Sequence, residues 1–336
     1  KTRVIAVNWG VWADVGMAAE AVGQSTVAVM PPRAIDAPML ETVEVLEGET
    51  RFNGTLSADT DWVLDQHRMA DGTSVMPGTG MVEAMAQAAL GAGLDLPFAL
   101  RDLYFLRPFE APEGTPRDMR VTVAPQAQGY ATALRSDCVL DGRAGWQMHA
   151  ESQLGTLEKL APPPVDLEAV SARLGAVEEA EGAHMPSLQE QHLRFGPAWQ
   201  VLRARQLGGE EGLARLTLET PLAADQLLHP GLLDIATGWA IALAPGYDGT
   251  DLWVPMSYGE ILIYSALPSE VYSWVRLTSA SAEDVRFDVT ICNADGAILV
   301  EVRDFAMTQL KGGFAAHSVP LSASEVSFDD VSGNDA

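Results

Sequence analysis

Two apolar segments, each nearly free of charge and each followed by strand-like runs, constrain this chain more than any other feature. The first, TGMVEAMAQAALGAG, sets Met81, Met85 and Ala88 at helical spacing and carries one charged residue, Glu83. Gly91 and Gly93 end it. The second, HPGLLDIATGWAIALA, opens at His229–Pro230 and carries one acidic residue, Asp234. A helix apolar on almost every side is buried on most of them, so something must wrap it. The flanking residues offer a sheet. Strands are predicted at Glu49–Leu56, Trp62–Leu64, Leu100–Phe105, Met119–Ala124, Tyr130–Ser136 and Ala144–Glu151 around the first helix. Around the second they are predicted near Arg203–Leu207, Gly212–Thr217, Trp253–Ser257, Glu260–Tyr264, Val271–Thr278 and Arg286–Asn293. A last strand, Ala297–Met307, is expected to break near Asp304. Each half is then one apolar helix with a strand-rich segment, a repeat of roughly 130–150 residues. The class is α+β, a mostly antiparallel sheet wrapped round a central helix, twice over.

Within this plan residues 37–156 form the first unit and residues 181–310 the second. Residues 157–180 read as a linker, mixing Pro162–Pro164 with an acidic, helix-like stretch at Asp166–Ala180. Residues 1–36 begin in mid-strand (Val4, Ile5, Val7) and run into a loop ending in the stiff pair Pro31–Pro32, as a piece cut from a longer polypeptide would. Residues 311–336, rich in Ser, Gly and Asp, are expected to be a flexible connector.

Charge narrows the partners. Lys+Arg 21 against Asp+Glu 46 gives a net charge of −25, which disfavours nucleic acid and anionic membrane. No apolar run is long enough to span a bilayer. The two cysteines, Cys138 and Cys292, lie far apart and suit a reducing, cytoplasmic setting. The six histidines are scattered without metal-ligand spacing, so no metal site is expected.

Two polar groups sit where their neighbours would otherwise build core. One is His67, in DWVLDQHRMADGTSVMPGTGMVE, and the other is Asp234, in LLHPGLLDIATGWA. Taken singly, each has a plain structural explanation, His67 as a core histidine and Asp234 as a helix N-terminal residue serving the backbone. Taken together, a base and an acid in one dry pocket can pull a proton from one carbon and push a hydroxyl from the next.

The stretch DQHRMADGTSVMPGTG resembles the first active-site motif of dehydratase domains in modular polyketide synthases, usually His-x-x-x-Gly-x-x-x-x-Pro. Gly72 and Pro77 keep their mutual spacing, with one extra residue between His67 and Gly72. FGPAWQVL resembles the family's Tyr-Gly-Pro-x-Phe-x-x-Leu segment, with Phe195 in place of the tyrosine and Gly196–Pro197 retained. HPGLLD, ending in Asp234, resembles the second active-site motif, whose usual glutamine or histidine four residues later is Gly238 here. The resemblance covers roughly residues 37–310, and NWGVWADVGM resembles the closing stretch of a ketoreductase domain.

The resemblance implies a double hotdog fold and a homodimer, and the substrate it implies is a β-hydroxyacyl thioester on the phosphopantetheine arm of an acyl carrier protein. It implies no metal and no organic cofactor in the domain itself. His67 is the expected base and Asp234 the expected acid. Leu232, Leu233, Ile235 and Trp239 offer apolar surroundings that would raise the aspartate's pKa. The thioester oxygen is expected to meet backbone N–H groups at Gly72 or at the helix start, Gly78–Gly80. Gly196–Pro197 is expected to shape the pocket as a turn. Because Gly238 has no side chain to hold the aspartate, water or another residue must do so. The same pair would also serve double-bond migration or closure of an oxygen ring, and a catalytically silent scaffold that docks carrier protein is the competing reading.

Overall fold

The computed structural model describes residues 31–158, 161–219, 226–311 and 321–329. The ketoreductase-like stretch lies outside these residues. The first half contains strands β1 (Arg33–Ala37), β2 (Leu40–Leu46) and β3 (Glu49–Leu56), helix α1 (Trp62–Asp65), and strands β4 (His67–Met69) and β5 (Val75–Met76). Helix α2 (Gly78–Gly91) follows, then β6 (Phe98–Phe105), β7 (Phe109–Glu110), β8 (Arg117–Pro125), β9 (Tyr130–Leu140) and β10 (Arg143–Thr156). The second half contains α3 (Leu167–Ser171), β11 (Glu178–Glu179), β12 (Leu193–Phe195), β13 (Leu202–Leu207), β14 (Glu211–Thr217) and α4 (Pro230–Gly238). It closes with β15 (Leu252–Ile263), β16 (Glu270–Ala280), β17 (Asp284–Cys292), β18 (Ile298–Leu310) and β19 (Val326–Ser327).

The two halves share one sheet, ordered β1-β2-β3-β8-β9-β10-β6-β15-β18-β17-β16-β14-β13-β11. Its seam is the antiparallel pair β6–β15, where each half contributes the first long strand after its central helix. Arg101 and Glu260 face each other across that seam, Nε to Oε1 at 3.0 Å. The fold is a double hotdog, and one apolar core runs through both halves. Every residue of α2 from Thr79 to Ala89 is buried, which is why this helix has almost no charge. Its end is a Schellman turn: the Leu94 N–H donates to Ala89 O at 3.0 Å and the Gly93 N–H to Leu90 O at 3.0 Å, with Gly93 at φ +90°. A Cβ at Gly93 would meet nothing within 4 Å, so only backbone strain opposes a side chain there. Gly93→Ala is expected to destabilise the protein by about 1 kcal/mol, read as a lower urea midpoint at unchanged slope.

Several expectations are corrected. Trp62–Leu64 is helical, because the Asp61 carboxylate accepts the Ser57 N–H and the Asp61 carbonyl accepts the Leu64 and Asp65 N–H groups. This local turn overrides the β preference of Trp and Val. The first unit starts before residue 37, since β1 begins at Arg33 and pairs with β2. Trp253–Ser257 and Glu260–Tyr264 merge into β15, with Gly259 admitting the close approach of Asp304 and Arg303. β18 does not break at Asp304 but passes through it with φ +54° and a shifted register. Among the described residues of 157–180 only Leu167–Ser171 are helical, and the segment is fastened to the second half by β11 and by the Val165 N–H donating to Gly296 O.

The tail is not wholly a loose connector. β19 pairs with β10, Glu325 meets the Arg107 guanidinium at 2.8 Å, and Asp329 accepts from Arg120 and from the Trp146 indole. Behind Arg107 lies His149, buried against Phe109, with Nε2 2.7 Å from Ser136 Oγ. Burial holds its pKa down at about 4. As pH falls below the usual histidine value of about 6.5, the unfolded chain binds a proton that the folded chain refuses until about pH 4. Stability should therefore drop by about 3 kcal/mol across that window. Urea unfolding of His149→Asn beside the native protein checks this, the variant losing less stability on acidification.

Candidate active site

α1 ends at Asp65, and the chain turns into β4 with His67 as its first residue. The Met69 N–H donates to Thr73 O and the Gly72 N–H to Met69 O, closing a tight turn with Gly72 at φ +96°. That turn returns Val75 beside the histidine, and His67 Nδ1 lies 2.6 Å from Val75 O. A carbonyl only accepts, so Nδ1 carries the hydrogen and Nε2 keeps its lone pair. The Gly72 N–H is consumed in the turn, which corrects its expected part in binding a thioester oxygen.

β4 pairs with β12, and Phe195 stands directly opposite His67 with ring centroids 5.6 Å apart. The two sequence motifs thus meet through their backbones. Gln66 secures the junction: its carbonyl accepts the Gly196 N–H and its Oε1 accepts the Ala198 N–H, both at 2.8 Å. A Cβ at Gly196 would run into the Gln66 side chain at 2.5 Å, so glycine is needed there. Pro197 opens a short 3-10 turn that delivers Trp199 into the core.

Asp234 sits in the second turn of α4. His229, not Asp234, caps that helix, its Nδ1 accepting the Leu232 N–H at 3.1 Å while its ring stacks on Trp62. Thr79 of α2 donates to Pro230 O at 3.0 Å and joins the two central helices near their N-terminal ends. The Trp199 indole N–H donates to Asp234 Oδ2 at 2.9 Å, and the same indole lies 5.5 Å from the His67 ring. Trp199 therefore touches both polar groups. Part of the Asp234 surface stays open, yet enough protein surrounds its carboxyl for burial to raise the pKa, against the opposing pull of His67 and Trp199. Burial likewise lowers the His67 pKa, against Asp234 and the Val75 carbonyl, which raise it. Both shifts favour the uncharged forms of the imidazole and the carboxyl.

Of the other expected residues, Pro77 and Gly78 form the start of α2, where the first N–H groups have no partner within the helix. Gly78 is pressed against the Phe105 ring. Gly238 ends α4 one turn beyond Asp234, and a Cβ there would meet nothing within 4 Å. Gln66, Thr79 and Trp199 were not singled out by the sequence, because a glutamine, a threonine and a core tryptophan carry no chemical signature. Among the described residues no group of three His, Cys, Asp or Glu side chains is placed to hold a metal, and no helix is long and apolar enough to cross a membrane.

Comparison with known proteins decides the family. A family model described as the polyketide synthase dehydratase domain matches residues 37–137, and one described as the polyketide synthase dehydratase N-terminal domain matches residues 162–315. This chain belongs to the polyketide synthase dehydratase family. The dehydratase chain is 25% identical over 299 residues to polyketide synthase PksM of Bacillus subtilis, covering 81% of this chain and 7% of that protein. It is 28% identical over 320 residues to polyketide synthase GfsB of Streptomyces halstedii, covering 86% of this chain and 5% of that protein. The chain thus spans a small fraction of these relatives. Among solved structures, the dehydratase domain from the CurJ module of curacin polyketide synthase superposes with a TM-score of 0.72 at 19% identity, covering 82% of this chain and 96% of that one. A trans-AT dehydratase domain from Brevibacillus brevis superposes at 0.69 and 20% identity, covering 83% and 100%. These structural likenesses carry the double hotdog fold.

Proposed function

We propose that this dehydratase-family chain removes water from a β-hydroxyacyl thioester, presented on the phosphopantetheine arm of an acyl carrier protein, to give the α,β-enoyl thioester. The observation that carries this reading is Trp199 joining His67 and Asp234 across the two halves, where burial raises the pKa of the carboxyl and lowers that of the imidazole. His67 Nε2 takes the α-proton, the freed electron pair forms the carbon–carbon double bond, and the β-hydroxyl leaves with the proton of Asp234 as water. The enzyme is left as imidazolium and carboxylate, and return of one proton from His67 to Asp234 resets it without net proton exchange. The start of α2 at Gly78 is the remaining candidate for meeting the thioester oxygen, its helix dipole favouring developing negative charge. The proton taken and the proton given are both accounted for by these two side chains and the substrate. Neighbouring synthase domains, an upstream ketoreductase and a homodimer belong to the same proposal.

Incubation with a synthetic β-hydroxyacyl pantetheine thioester tests it. Mass spectrometry should show loss of one water, and substrate left intact after long incubation would refute the reading. The open space at Gly238 and the missing hydroxyl at Phe195 favour one second reading, that a longer chain folds in the site and a distal hydroxyl adds to the enoyl group. An enoyl thioester with a free hydroxyl would then give a product of equal mass and altered NMR spectrum.

A further inference from the structure

We propose that Trp199 is the positioning residue of Asp234, and that its indole N–H decides which carboxyl oxygen carries the proton. This rests on the reading of Asp234 as the acid. The indole nitrogen is a donor and never an acceptor. With Oδ2 held as an acceptor at 2.9 Å, the neutral carboxyl must carry its proton on Oδ1, the oxygen left for the substrate. The arrangement mirrors His67, whose Nδ1 is fixed by Val75 O so that Nε2 is left free. Each reacting group thus has one atom tied and one presented.

The tie is itself well held. Trp199 is buried at 2% exposure, its ring packed against Trp62 and Phe195. Gly231 lets α4 approach the Trp199 turn closely, since a Cβ there would collide with the Ala198 carbonyl. α4 itself supplies no alternative donor one turn on, because Gly238 has no side chain. The titratable groups whose fields reach Asp234 are His67 and the buried Tyr258 hydroxyl. Charges on the elements packed against α4 are engaged elsewhere. Glu83 of α2 accepts from Leu227 and Leu228, Glu211 and Arg215 of β14 pair with Arg173 and Glu179, and on β16 Glu270 meets Thr217 and Arg276 lies over Trp274.

The test uses Trp199→Phe, which keeps an aromatic ring and deletes the donor. Turnover of the β-hydroxyacyl thioester should fall about 10-fold in kcat with KM little changed. The Asp234 carboxyl, followed by 13C NMR, should titrate about one pH unit higher, because the lost N–H stabilised the ionised form. A glutamine at position 238 lies one helical turn from Asp234, in open space, and can donate to it. Adding Gly238→Gln to Trp199→Phe should therefore restore most of kcat and return the titration towards its native position. A Trp199→Phe protein that folds, with kcat and titration unchanged, overturns the proposal. So does a double variant no better than the single one. If the native protein releases no water while the titration still moves in Trp199→Phe, the failure lies in the assigned reaction and the positioning role stands.

Discussion

His67→Ala is expected to lower kcat for water loss by 10²–10⁴-fold, the range that a positioned general base supplies. Asp234→Asn should fall in the same range, since an amide keeps the shape of the acid and cannot release a proton at neutral pH. Both changes leave the fold's main supports in place: His67 gives up one hydrogen bond to Val75, and Asp234 one from Trp199. Far-ultraviolet circular dichroism should therefore be native-like for both. Undiminished turnover of the whole assembly line carrying His67→Ala would favour the silent scaffold over the dehydratase.

The second large effect lies outside the His67–Asp234 pair. Glu83 is fully buried in α2, where its carboxylate accepts the Leu227 N–H at 2.9 Å, the Leu228 N–H at 2.7 Å and the Gln87 amide at 2.6 Å. Those two backbone groups immediately precede His229 and α4, so Glu83 ties the first half's helix to the segment that launches Asp234. Glu83→Ala leaves three buried donors without this acceptor and is expected to cost about 3–5 kcal/mol. Urea unfolding checks the value, and a loss below about 1 kcal/mol would mean that the network matters little. Glu83→Gln keeps an acceptor oxygen and should fall between the two. Activity should drop along with stability, since α4 would lose its anchor.

The central helices were readable because their chemistry is redundant. Met81, Met85 and Ala88 mark one helix, and an apolar run opened by His229–Pro230 marks the other. His67 and Asp234 were readable because a polar group amid core residues calls for a reason. Their meeting was not, since it depends on the β4–β12 pairing and on Gln66 clasping the Gly196–Pro197 turn, contacts between residues more than a hundred positions apart. Gly72 misled for a related reason. A glycine beside an active histidine suggests a free N–H, yet the turn geometry that requires glycine also consumes that N–H. Trp62–Val63–Leu64 carried a β-like composition that a single carboxylate, Asp61, redirected into a helix. The docked tail escaped notice because polar composition says nothing of where Glu325 and Asp329 find arginines.

The most direct test of the pair is a double-mutant cycle on turnover, with His67→Ala, Asp234→Asn and the two combined. If imidazole and carboxyl serve one substrate as a unit, the combined variant should be scarcely slower than the worse single variant. Losses that multiply in full, or a native rate in either single variant, would contradict the account.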